Sequence, residues 1–197
     1  MKEIVKNIYI YIYKMILKCL GGHGFKAFGA GSYMKKPIRL IGKNHVSVGE
    51  DVSILHNARI EVWPGIACEN AELVLEDSVS IEQNFHCVAI GKLIIGLHTT
   101  ISANVYISDC NHDYTDIEID AQEKKLIHRN TRIGEYCFIG YGAVILPGTH
   151  LGKQCIVGAN SVVRPGDYED FTVLAGVPAK VVKRYNQDTK QWEKIDS

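Results

Sequence analysis

The chain has 197 residues, with 22 Lys and Arg against 22 Asp and Glu, so its formal charge is zero and the basic stripe of a nucleic-acid-binding domain is not expected. A hydrophobic content of 46% supports a real core and excludes a disordered chain, and the length allows one domain or one domain with a small appendage. Cys19, Cys68, Cys87, Cys110, Cys137 and Cys155 form no Cys-x-x-Cys pair and no zinc-type spacing; with no cleavable signal pattern, they read as reduced thiols of a cytoplasmic protein.

In chain order, the first segment is residues 1–20, rich in Ile and Tyr but interrupted by Lys6, Lys14 and Lys18. That is too broken to span a bilayer, which needs about 20 predominantly apolar residues. Lys2, Lys6, Lys14 and Lys18 share one helical face, and Val5, Ile8, Ile12, Met15 and Cys19 share another. The pattern predicts an amphipathic helix that either covers a domain end or neighbouring subunit, or lies on an anionic membrane surface. Gly21, Gly22 and Gly24 end it. Residues 1–35 are therefore read as helix and glycine linker, 36–184 as the main domain, and 185–197 as a tail.

The main domain is a repeat. Ile133, Ile139, Ile145, Leu151, Val157 and Val163 recur every six residues, and shorter runs in the same period start at Val48, Leu75 and Ile95. Glycine follows the aliphatic position at 42, 49, 96, 134, 140, 152 and 158. Two positions further on stand Asn44, Asn57, Asn84, Asn104 and Asn160, a residue type that tolerates left-handed turns. A strand and a turn every six residues give three flat faces per coil of 18. The expected architecture is an all-β solenoid of about five coils, a triangular prism with Ile133 beneath Leu151 and Ile139 beneath Val157. Two interruptions break the period. One lies between Ile60 and Leu75 and contains the Pro64–Gly65 turn; the other, loop 109–131, is long and polar. Long loops on a rigid repeat usually carry function.

The hexads, the Asn111-His112-Asp113 run at the mouth of the long loop and the closing stretch VLAGVPAKVVKRY resemble the hexapeptide-repeat acyltransferases over most of residues 40–185. The arrangement also resembles the subgroup that O-acetylates surface polysaccharides such as lipopolysaccharide and capsule. The resemblance implies a left-handed parallel β-helix with an N-terminal helix and a short C-terminal helix, a cyclic homotrimer with sites between subunits, acetyl-CoA as donor and no metal. His112 is implied as general base: it takes the proton of a sugar hydroxyl, which is too poor a nucleophile unaided, and returns it to the coenzyme A sulfur. Asp109 or Asp113 is the expected orienting acid, with Asn111 and Asn104 completing the catalytic set. Asn84, His86 and Tyr114 are expected at the acceptor.

For the donor, the resemblance implies the Tyr141–Gly142 turn as oxyanion donor and Ala143, Ala159 and Ser161 as small residues along the pantetheine arm. Phe138, a Trp in many relatives, would supply an aromatic wall. Asn160, Arg164, Ala175, Gly176 and Pro178 would complete the groove, with Lys180, Lys183 and Arg184 near the phosphates. Lys180 to Arg184 could equally be a basic cap on the prism. Three rivals belong beside this reading. A γ-type carbonic anhydrase would need two His five residues apart, and the intervals from His86 onward are 12, 14, 16 and 22. A purely structural prism would lack the long polar loop. A sugar N-acetyltransferase would use the same base and groove, so the acceptor atom stays open.

Overall fold

The computed structural model describes Ile12 and residues 23–195. Almost every strand is two to four residues long, and the parallel strands stack into three sheets of seven, seven and six, the second of which gains two antiparallel strands at its C-terminal edge. Each face of the prism is one sheet, so the three-strand coil of the sequence reading is the repeating unit. Six coils are complete and a seventh is partial, more than the five expected. The extra coils come from both ends: Ala27–Phe28 and Tyr33–Met34 already pair with the next coil, so the prism begins before residue 36. All-β parallel sheets built from hexads fit a left-handed β-helix.

The stacking follows the six-residue column. Ile133 pairs with Leu151, Ile139 with Val157 and Ile145 with Val163, and all six are buried. Burial of each such side chain contributes about 1.5–3 kcal/mol, and no coil can bury its column without its neighbours. Phe85 is the largest fully enclosed side chain, in a column whose other buried members are the small residues Ala58, Val105, Ala143 and Ser161. The five described cysteines are free; Cys87, Cys110, Cys137 and Cys155 are buried and Cys68 is exposed.

Two turn columns have different causes. Asn57, Asn84, Asn104 and Asn160 adopt left-handed angles, φ 55° to 63°, as the Asn column predicts. Asn44 does not, because its turn is a 3-10 helix led by Gly42 at φ 62°. The glycines after the aliphatic column are mostly needed for closeness. A Cβ on Gly134 would lie 2.3 Å from the carbonyl oxygen of Gly152, one coil away.

The C-terminal helix is not there. Ala179–Asn186 is an eight-residue strand that folds back antiparallel on Thr172–Gly176, and Gln191–Lys194 adds another. Alternation of Val181 and Lys183 with their neighbours satisfies a strand edge as readily as a helix end, and the unpaired edge of Thr172–Gly176 decides for the strand. The expected tail 185–197 therefore begins inside a strand. The N-terminal helix falls on residues that, Ile12 apart, lie outside the described ones, and gains no support. No helix among the described residues is long and apolar enough to cross a membrane.

Candidate active site

Loop 109–131 leaves the prism at the end of the Tyr106–Ser108 strand and is itself a hairpin. Cys110–His112 pairs antiparallel with Leu126–His128, with His112 opposite Leu126. Asp109 fastens its base. Its buried carboxylate accepts the backbone N–H groups of Ile90 and Gly91, each at 2.9 Å, and the imidazole Nε2 of His128 stands 3.4 Å from Oδ2. A Cβ on Gly91 would meet that imidazole at 2.0 Å, so glycine is required there. Burial pushes the Asp109 carboxyl up, against the two N–H bonds and His128, which favour its charge.

The acids expected to orient His112 are committed elsewhere. Asp109 faces Ile90, Gly91 and His128. Asp113 accepts the N–H and hydroxyl of Thr115, which hold its carboxyl below the usual range. His112 itself is exposed, and no hydrogen bond to its ring is present among the described contacts.

Two clefts meet at Asn111 and His112. The first, of about 390 Å³, is closed on one side by Glu61, Trp63 and Ile66 and on the other by Cys110 and Leu126. Val88 and Tyr106 form its floor. The second, of about 220 Å³, runs toward the later coils past Tyr114, Ile127, Arg129, Leu146 and Pro147 to Pro165. Tyr114 is 83% exposed and borders only this second cleft.

Glu61 is the signal the sequence reading passed over. It is buried, yet three donors serve it: Arg59 Nε at 2.6 Å and Arg39 Nε at 2.8 Å on one oxygen, Trp63 Nε1 at 3.2 Å on the other. Burial opposes its charge, but the hydrogen bonds and the two guanidinium groups outweigh burial and hold its carboxyl below the usual range. A Glu in the inward-outward alternation of a strand looks like an ordinary surface residue; Arg59 lies two residues away on the same strand, and only the coil stacking adds Arg39 from the neighbouring coil.

Several expected positions are not brought to His112. Asn57, Asn84 and Asn104 form a ladder of side-chain hydrogen bonds ending on the Tyr141 hydroxyl, along the opposite edge of the Tyr106–Ser108 face. His86 is half-buried on that face, its ring edge-on to Tyr106 and its Nε2 without a hydrogen-bond partner. Burial, then Arg59, hold its imidazole below the usual range, with Glu61 acting the other way.

The donor-side residues divide. Ala143 and Ser161 are buried and face the prism interior, so they cannot line an outer groove; Ser161 Oγ accepts the Gly176 N–H. The Gly142 N–H, expected for an oxyanion, already donates to Ala103. Phe138, Tyr141, Ala159, Asn160 and Lys180 are exposed, and Ala175 and Lys183 half-exposed, on faces and turns away from the hairpin; Arg164 is exposed beside Pro165, at the far end of the second cleft. Gly176, at φ 106°, and Pro178 form the exposed turn before Ala179–Asn186. Arg184 is paired with Glu169 at 2.8 Å, so it is no longer a free cation.

The family described as bacterial transferase hexapeptide (six repeats) matches residues 130–165. A protein of Escherichia coli K12 described as a lipopolysaccharide biosynthesis O-acetyl transferase, WbbJ, is 37% identical over 129 residues, 62% of this chain. The match spans 65% of that relative's length. The dTDP-4-amino-4,6-dideoxy-D-glucose acyltransferase of Escherichia coli is 27% identical over 87% of this chain and 88% of its own. Among solved structures, the N-acyltransferase AntD of Bacillus cereus, with dTDP-4-amino-4,6-dideoxyglucose and coenzyme A, superposes with a TM-score of 0.73 at 17% identity. It covers 87% of this chain and 90% of AntD. A galactoside acetyltransferase with coenzyme A gives 0.56 at 21% identity, over 88% and 74%. Residues 130–165 carry the hexapeptide repeat of that transferase family, and the proteins the chain resembles in sequence and in fold are acyltransferases.

Proposed function

We propose that the chain is an acetyl-CoA-dependent O-acetyltransferase that modifies a sugar hydroxyl in surface polysaccharide biosynthesis. One observation carries this reading: Asn111 and His112 line both clefts, so a single free imidazole stands between two binding spaces. In the 390 Å³ cleft an acceptor hydroxyl gives its proton to His112 as its oxygen forms a bond to the thioester carbonyl carbon. The C–S bond then breaks, and the coenzyme A sulfur leaves with that proton. Neutral imidazole suits the task because it can accept and return a proton near neutral pH. The second cleft leads from His112 past Leu146 and Pro147 to Pro165 and would take the donor arm; Lys180 and Lys183, on another face of the prism, would meet the donor's phosphates from a neighbouring copy. The O-acetyl relative in lipopolysaccharide biosynthesis supports the choice of acceptor class.

The assembly belongs to the same proposal. Phe138, Tyr141 and Asn160 lie on other edges of the prism than His112, so one chain does not surround a whole donor molecule. A homotrimer, with one copy's aromatic edge facing the next copy's hairpin, would supply the missing wall. Transfer to an amino sugar is the second reading, favoured by the dTDP-amino-sugar relative that matches 87% of the chain. The test is a mass-spectrometric screen of acetyl transfer from acetyl-CoA to hydroxyl sugars and to amino sugars. Products stable to mild alkali are N-acetyl; products cleaved by it are O-acetyl, and only these support the first reading.

A further inference from the structure

The two interruptions of the repeat are 35 residues or more apart in sequence, yet they face each other across one cleft. The hairpin brings His112 and Leu126 to it, and the first interruption brings Trp63 and Ile66. We propose that this first interruption is the acceptor-recognition wall, and that Trp63 is a stacking platform for the apolar face of a pyranose ring. The proposal rests on acyl transfer at His112 and names the shape of the group that receives the acyl unit.

Trp63 is fixed at both ends. Its backbone N–H donates to Ala89 at 2.9 Å, which ties it to the next coil. Its indole N–H is taken by Glu61, and Glu61 is held in turn by Arg39 and Arg59. The N–H therefore offers nothing to a ligand, and what remains open is the ring face, with the residue 36% exposed. No other aromatic ring stacks on it among the described residues. A rigid, unpartnered indole face beside a cleft costs little entropy on binding and attracts flat apolar surface. A pyranose has such a surface in its axial C–H groups, and its rim of hydroxyls needs polar partners. Asn111 and His112 stand across the cleft to meet that rim; no side-chain hydrogen bond of Asn111 is present among the described contacts. At about 390 Å³ the cleft lies at the lower end of ligand sites, room for one or two rings. Glu61 is a positioning residue here, since it acts through the indole it holds.

The chain has two tryptophans, and Trp192 packs on Tyr185 well away from the cleft. In a Trp192→Phe protein, emission therefore reports Trp63 alone. Titration with methyl pyranosides of glucose, galactose and N-acetylglucosamine should shift or quench that emission for at least one of them, while sorbitol, with no ring, should not. Trp63→Ala should raise the acceptor KM by about tenfold with the donor KM unmoved, and Trp63→Phe should recover most of the loss. Glu61→Gln should red-shift the Trp63 emission and raise the acceptor KM in parallel. Emission blind to every pyranoside, or equal response to sorbitol, overturns the platform. Sugar binding at Trp63 with no acetyl transfer to any sugar would keep the platform and overturn the transferase reading. Transfer with an unchanged acceptor KM in Trp63→Ala would do the reverse.

Discussion

Between Ile133 and Val163 every sixth side chain is buried on its neighbour one coil away, whereas from Tyr114 to Glu123 every residue is exposed. The two stretches adjoin in sequence and share no design. In the first, each residue is chosen by the coils above and below it. In the second, Ile117 stands 92% exposed with nothing to pack on, and only the hairpin base is fastened, by Asp109 and His128. A solenoid can host such an excursion because each coil depends only on its neighbours. The rigid stack thus supplies a fixed edge, and in the proposed function the excursion supplies the reacting group at that edge.

The sharpest way to break the contrast is a cavity in the stack. Ile139→Ala should destabilise the protein by about 2–5 kcal/mol, seen as a lower denaturation midpoint with an unchanged slope. At the hairpin, His112→Ala should cost turnover and not stability: kcat should fall by roughly 100-fold or more, the share of a positioned general base, with donor affinity and melting temperature close to wild type. His86→Ala is the control and should be mild; the opposite ranking of the two variants would move the site to the coil face. Between these regimes lies Asp109→Ala. It leaves two buried N–H groups without acceptors, so it should cost about 1–3 kcal/mol of stability. It should also lower kcat without touching any reacting atom, by loosening the hairpin base.

Two smaller effects sharpen the comparison further. Replacing Lys180 and Lys183 together by Ala should weaken coenzyme A binding by about 1–3 kcal/mol in calorimetry while the prism stays intact. Unchanged affinity would leave those lysines as a cap on the last coil. Glu61 gives a pH signature. Its folded carboxyl lies below its ordinary value of 4.5, so its stabilising contribution is complete above that pH and disappears as pH falls through the folded value. Wild type should therefore lose melting temperature below pH 4.5 more steeply than Glu61→Gln.

The sequence by itself determined the prism, because a period of six that repeats over coils has one economical solution: inward aliphatic residues stacked 18 apart. It also determined that His112 leaves that prism at the mouth of the longest polar loop. The C-terminal strand Ala179–Asn186 was not legible, since its alternation suits helix or strand until an open sheet edge is present to receive it. Nor was the role of Asp109, which looks like a partner for His112 only three residues on. Its true partners, Ile90 and Gly91, lie one coil back, and stacking alone brings them within reach. The proposed acceptor side was hidden for the same reason. Glu61, Trp63 and His112 share a cleft because loop lengths and coil height place two distant interruptions over one face. Local spacing encodes the repeat because each coil repeats the same contacts; meetings between coils depend on the accumulated stack, which only the tertiary structure contains.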